Sequence, residues 1–274
     1  MSIVRGFFSG VLAFVLFVVL VLLGTVVAFN MTVLNPDFVT AELDKFDAYS
    51  VVVDRAKTLI PNQQFLDDED IDEIAIELKP WFEEQTDKAV YDFYAYLKEG
   101  KELNVVISLE PVRKAVKEKV RESVTKVDAV IPSSFTLTPA VAGSWVMVPL
   151  ETVRHIVGYV DTAYKALIVI AIFLVFLIAL VHWWQPKPIT LSLGITFILV
   201  GVTCILASML HALLAQLLGQ VVGLSGFMPG VQANLIQLVA DLTAPVRMYG
   251  IGFLVSGILL IVISVLFRSL ESRP

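Results

Sequence analysis

Residues 7–29 read FFSGVLAFVLFVVLVLLGTVVAF, without one charged side chain. At about 1.5 Å rise per residue, a helix of that length crosses the ~30 Å hydrocarbon core of a bilayer. Charge-free stretches at 166–184, 189–214 and 248–267 meet the same requirement. Between the first and second lies the one long polar segment of the chain, Asn30 to Asp161. The sequence therefore predicts a membrane all-α bundle of four transmembrane helices plus a mainly helical (α+β) extracytoplasmic domain. Its expected divisions are 1–30 for the first transmembrane helix and 31–160 for the extracytoplasmic domain. Residues 161–274 hold transmembrane helices two to four, with an outer amphipathic segment at 231–243.

Composition agrees with that division. Of the 274 residues 57% are hydrophobic, with a mean hydropathy of +0.80, above the roughly 45–50% apolar content of a soluble domain. The net charge of −6 hides a split. Asn30–Asp161 carries 24 acidic and 14 basic residues, and the remainder 2 acidic and 6 basic. An acidic exterior does not suggest nucleic acid as a partner, which requires a basic face. The single cysteine, Cys204, lies inside the third apolar run. It permits no intrachain disulfide and no zinc site built on several cysteines.

Lys and Arg near the span ends set orientation. Arg5, Lys187, Arg268 and Arg273 fall on one side of a four-span chain, and Arg154, Lys165 and Arg247 on the other. The first group is assigned to the cytoplasm, which places both termini there and residues 31–160 outside a plasma membrane. The first run is longer than the 7–15 apolar residues of a signal peptide, and Val26-Val27-Ala28 fits a cleavage rule only loosely, so a retained span is expected. Asn30-Met31-Thr32 is a formal glycosylation sequon beside the bilayer.

Within the polar segment, Asn35-Pro36-Asp37 combines a capping side chain, a first-turn proline and a dipole-complementing acid. It predicts a helix to about Leu59, stopped by Pro61. The acidic run 67–73 invites a calcium reading. However, an EF-hand loop from Asp68 would need Gly and Glu where Glu73 and Lys79 stand. The run reads instead as the first turns of a helix with Ile71, Ile74, Ala75 and Leu78 on one face. Pro80 is expected to open a second helix to Lys98, striped by Phe82, Ala89, Phe93 and Leu97. Trp81, Tyr91, Tyr94 and Tyr96 add aromatic bulk. Such a helix can line a ligand groove, though core packing is the commoner use.

Gly100 is expected near the helix C-cap, and 105–109 as a β-strand. A Pro111-started helix to about Val127 bears Val112, Val116, Val120 and Val124 under a basic face of Arg113, Lys114, Lys117, Lys119 and Arg121. Residues 132–149 read as loop with one strand near Trp145–Val148. Leu150 starts a helix expected to run unbroken through the second span to Trp184 as a rigid stalk. The third run continues to Gln220, and a Gly/Pro loop occupies 223–230. Small residues at Gly6, Gly10, Gly194, Gly201, Gly252 and Ser256 offer close helix contacts. Trp183 and Trp184 mark the inner interface.

No Asp, Glu, Lys or Arg lies mid-span, where an ion-coupled transporter places such groups. Thr196, Thr203, Cys204 and Ser208 can bond to their own helix backbones. His155 and His211, with Asp161 or Asp241, have no metal-ligand spacing. No Ser–His or Cys–His arrangement marks a catalytic centre. No catalytic, cofactor-binding or metal residue is assigned, and no cofactor is expected.

Leu34-Asn35-Pro36-Asp37-Phe38, with Tyr96–Gly100 and Val106–Pro111, resembles an uncharacterised family of prokaryotic four-span integral membrane proteins with one large outer domain. That resemblance implies the order of spans and the outer domain, and transfers no functional residue. The expected role is a non-enzymatic envelope sensor, scaffold or accessory subunit, with the lipid bilayer and other envelope proteins as partners. The alternatives are a channel or transporter, suggested by four spans and Gln216, Gln220, Gln232 and Gln237, and an envelope enzyme using His155 or the acid-rich domain.

Overall fold

In hydrocarbon a backbone can satisfy its own polar groups only as a helix or a closed barrel, and the apolar runs are helical. A computed structural model describes residues 2–46, 49–50, 53, 68–119, 131–137, 150–183, 185–221 and 229–271. The elements are α1 (Ser2–Met31), α2 (Pro36–Lys45), α3 (Asp68–Glu99), β1 (Val105–Ser108), α4 (Glu110–Lys119), β2 (Ser134–Leu137), α5 (Leu150–Val181), α6 (Pro186–Val221) and α7 (Pro229–Glu271). Two compact units result: a membrane unit of 1–33 with 159–274, and a polar unit of 34–158. Helix α5 begins in the second and continues into the first.

Four helices are long and apolar enough to cross a membrane, over Gly6–Met31, Leu150–Val181, Pro186–Leu210 and Gln237–Phe267. Only 17–28% of each one's most apolar window is buried, which leaves the greater part of every span for lipid. Their shared core joins Leu16 and Leu20 of α1, Leu174 and Ile178 of α5, and Val200 and Cys204 of α6. Tyr249 and Phe253 of α7 pack against it.

The most extensive contact is between α6 and α7. A Cβ on Gly201 would stand 2.7 Å from the Gly250 carbonyl oxygen, and one on Gly257 2.8 Å from that of Gly194. Gly194 and Gly201 are two turns apart on α6, as are Gly250 and Gly257 on α7, and they meet in reversed order. The two helices are therefore antiparallel, with backbone against backbone at both pairs. Phe197 and Phe253 stack edge to face at 4.9 Å beside this seam. Ser264 donates to the Lys187 carbonyl at 3.1 Å at one end of the pair. Helix α7 also meets α1. The Tyr249 ring lies against Gly24, where a Cβ would be 2.5 Å from it, and its hydroxyl donates to the Leu20 carbonyl at 3.1 Å.

The small residues are thus divided differently from expectation. Gly194 and Gly201 are interfacial, but at Gly6, Gly10 and Gly252 an added Cβ would meet nothing within 4 Å. The partners on α7 are Gly250 and Gly257, because a seven-residue spacing keeps one face toward α6 over two turns. Thr196 and Ser208 bond back to the carbonyls of Ser192 and Ile205, at 2.9 and 2.8 Å.

Two span ends differ as well. Segment 231–243, expected as an outer amphipathic segment, is part of the uninterrupted α7, which passes through Pro245. Helix α5 stops at Val181 rather than Trp184, and Trp183 takes a left-handed φ of 54°. The Trp183 amide donates to the Leu180 carbonyl at 2.9 Å, which closes the helix end. Just before it, His182 Nδ1 donates to the Ile178 carbonyl at 2.9 Å and Nε2 faces Ser9 Oγ at 3.4 Å. The expected 223–230 loop falls largely outside the described residues.

In the polar unit, Asn35 accepts from the Asp37 amide at 3.1 Å and Pro36 occupies the first turn of α2. The helix ends at Lys45, well before Leu59, with Phe46 as its C-cap. Tyr49, Ser50 and Val53 are helical again, and residues 54–67, Pro61 included, lie outside the described residues. Pro80 does not open a helix but sits inside the 32-residue α3. Its missing N–H leaves the Ile76 carbonyl without its usual donor. Both residues are exposed, so water can supply one. The Tyr49 hydroxyl donates to the neighbouring Ala75 carbonyl.

Gly100, at φ +74°, ends α3 in the left-handed region. β1 pairs antiparallel with β2, Val105 opposite Leu137 and Ser108 opposite Ser134. β2 thus replaces part of the expected loop. The expected strand at 145–148 and the continuation of α4 beyond Lys119 lie outside the described residues. Val105 is 1% exposed and Val106 44%, the period-two alternation of a half-buried strand.

The glycine seam makes a directional prediction. Gly201→Val or Gly257→Val should push α6 and α7 apart and cost about 1–3 kcal/mol, as overpacking does. Gly252→Val should stay within ~0.5 kcal/mol. Thermal unfolding of the purified variants in one detergent measures the difference.

Candidate functional site

Helix α3 organises the polar unit. Its acidic N-terminal turns face a cation: Lys119 of α4 pairs with Glu73. The hydrogen bond to Glu73 is the main cause that raises the Lys119 pKa. Further along, Tyr91 donates to Asp37 of α2, and Tyr49 packs on Phe82 at 5.1 Å. At its end Tyr96 and Leu97 are buried. The Arg154 guanidinium of α5 lies 5.5 Å over the Tyr96 ring. Gly100 leaves room for that guanidinium, since a Cβ there would stand 2.8 Å from an Arg154 terminal nitrogen.

The middle of α3 lines a groove of about 540 Å³. Trp81, Gln85, Ala89 and Phe93 recur every fourth residue along it, with Phe82, Thr86, Val90 and Tyr94 one position on. Val39 of α2, and Ile107 and Leu109 at the strand, complete the described lining. All of these are half-buried. None carries a charge, and burial raises the Tyr94 pKa, which keeps its hydroxyl neutral. The aromatic stripe, for which core packing is the commoner use, thus divides: Tyr96 and Leu97 enter the core, while Trp81 to Tyr94 wall an open apolar channel.

Trp81 also borders a second hollow, lined by Leu78, Pro111, three acids (Glu77, Glu110, Glu118) and three bases (Arg113, Lys114, Lys117). Arg113 pairs with Glu110, and Lys114 faces Glu118 at 3.8 Å. Of the basic face read from the sequence, Arg113 and Lys114 are thus met by acids on the same helix and Lys119 by Glu73 of α3. Arg121 lies outside the described residues.

His155 is exposed on α5, and the His211 side chain is outside the described residues. Asp161 pairs with Lys165 at 2.7 Å. Among the described residues no group of three His, Cys, Asp or Glu side chains could hold a metal ion. What the described geometry offers chemically is apolar burial at the groove and mixed charge beside it. Sequence periodicity could identify the stripe but not that, among the described residues, its middle lines a groove.

Comparison with protein-family models, with curated proteins and with solved structures finds no match for this chain. The resemblance to four-span membrane proteins rests on the segments quoted above.

Two outcomes follow for this unit. The hydrogen bond to Asp37, then desolvation and the charges of Asp37 and Asp87, raise the Tyr91 pKa above the ordinary value of about 10. A raised folded-state pKa gives stability that is present below the ordinary value and lost as pH rises through the raised one. Tyr91→Phe should therefore flatten the alkaline part of the stability–pH profile and leave its slope below about pH 9 unchanged, read by denaturant midpoints. Phe93→Ala should destabilise by less than the ~3–5 kcal/mol of a fully buried phenylalanine, read in the same titration.

Proposed function

We propose that this is a non-enzymatic binding protein of the cell envelope, anchored by its four spans and making contact through the α3 groove. The observation that carries the reading is the groove itself. It is an uncharged, aromatic-walled channel, half open to water, of the size of a small-ligand site (~300–1,000 Å³). Concave, largely apolar and aromatic lining of this kind is the usual make-up of a ligand site. The polar unit is read as an α+β domain outside the plasma membrane, with both termini in the cytoplasm. Support for that sidedness is the Lys/Arg excess at Arg5, Lys187, Arg268 and Arg273, against an opposite side where Lys165 is paired with Asp161. The partners are the bilayer and other envelope components; the acidic polar unit does not suit nucleic acid. Membership in a prokaryotic four-span family is part of the same proposal.

Sidedness is tested by thiol labelling in a Cys204→Ala background. Val106→Cys should react with a membrane-impermeant maleimide in intact cells, and Lys187→Cys only after lysis; the reverse pattern refutes the orientation. Copurification after envelope cross-linking should recover a partner or ligand that Ala89→Trp, which fills the groove, loses. Solute or ion flux through liposomes holding the purified chain would favour transport instead.

A further inference from the structure

The two hollows on the polar unit are neighbours. Trp81 lines both, the apolar groove toward Phe82 and the charged one toward Pro111. A ligand that fills both must be amphiphilic. The apolar groove offers it almost nothing to hydrogen-bond. A peptide or sugar there would leave donors and acceptors unsatisfied, whereas an alkyl chain has none. Among the described residues the charged hollow presents three acids and three bases, each sign set beside the other. A bare anion there would meet Glu77, Glu110 and Glu118, and a bare cation would meet Arg113, Lys114 and Lys117. A head group bearing both signs complements both sets.

The geometry points to a zwitterionic single-chain lipid, of the lysophospholipid class, as the ligand. Its alkyl chain lies along α3 from Trp81 to Phe93, and its head group lies over α4. The groove volume of about 540 Å³ suits one small ligand. This assignment rests on the proposed envelope-binding role and names its ligand; the lipid comes from the membrane in which the chain itself is anchored.

The test uses the full chain in nanodiscs and three diazirine probes: a lysophosphatidylcholine, a free fatty acid and a two-chain phosphatidylcholine, each with the photoreactive group on the chain. After irradiation the labelled peptides are mapped. The lysolipid should label α3 between Trp81 and Tyr94, and excess unlabelled lysophosphatidylcholine should reduce that label at least tenfold. Ala89→Trp should reduce it as strongly. The competition on the unaltered chain stands even if that variant does not fold. Equal α3 labelling by the fatty acid overturns the head-group assignment, and preference for the two-chain lipid overturns the single-chain one. Label confined to the spans overturns the site altogether. That last result leaves the envelope-binding role standing if cross-linking still recovers a different partner.

Discussion

Helices α6 and α7 approach until only hydrogens can fit between them at four positions. In lipid, apolar side chains gain little by leaving the solvent, since the solvent is as apolar as they are. What holds spans together is close packing, and packing is best where backbones touch. Gly194 against Gly257 and Gly201 against Gly250 supply that contact. The rest of the membrane unit is arranged around it. Tyr249 leans from α7 onto Gly24 and donates to the backbone of α1, while Phe197 and Phe253 close the flank. The hydroxyls of Thr196 and Ser208 return to their own helices and take no part in the seam.

The polar unit solves a different problem, because water surrounds it. There α3 acts as the common wall. Tyr91 ties it to α2, Glu73 to α4, and Tyr96 to the start of α5. A continuous rod can carry all three ties only if Pro80 is tolerated within it. Pro80 lies on an exposed face, so the cost of the lost hydrogen bond is borne where solvent replaces it. The apolar middle of the same rod is left half open, which is why the groove and the framework share one helix.

Much of this is legible in the residues alone. Uncharged runs announce spans because charge is what hydrocarbon tolerates least. Asn35-Pro36-Asp37 announces α2 because cap, proline and acid all serve the same four orphan amides, and Gly100 announces the end of α3. Other features are not legible, for identifiable reasons. Gly6 and Gly10 have the spacing most often linked with helix contact, yet they face away from every described neighbour; spacing states which residues share a face, not what lies opposite. For the same reason Gly252 and Ser256 look as well suited to the seam as Gly250 and Gly257, which form it. β2 is four residues long, too short for alternation to stand out, and its pairing with β1 is a tertiary fact. The groove depends on how α2 and β1 stand off from Phe93 and its neighbours, and periodicity alone carries no information about tertiary spacing.

Trp183 bears on how deeply the second span sits. A side-chain-bearing residue in the left-handed region costs about 1–2 kcal/mol. This one is 79% exposed, so protein contacts return little of that cost. An indole is at home in the narrow zone where acyl chains give way to head groups. Fixed by the turn at the end of α5, an indole in that zone would resist sliding of the helix along the membrane normal, which carries the ring into oil on one side or open water on the other. A bilayer of different thickness would therefore be met by tilting about this anchor rather than by vertical travel.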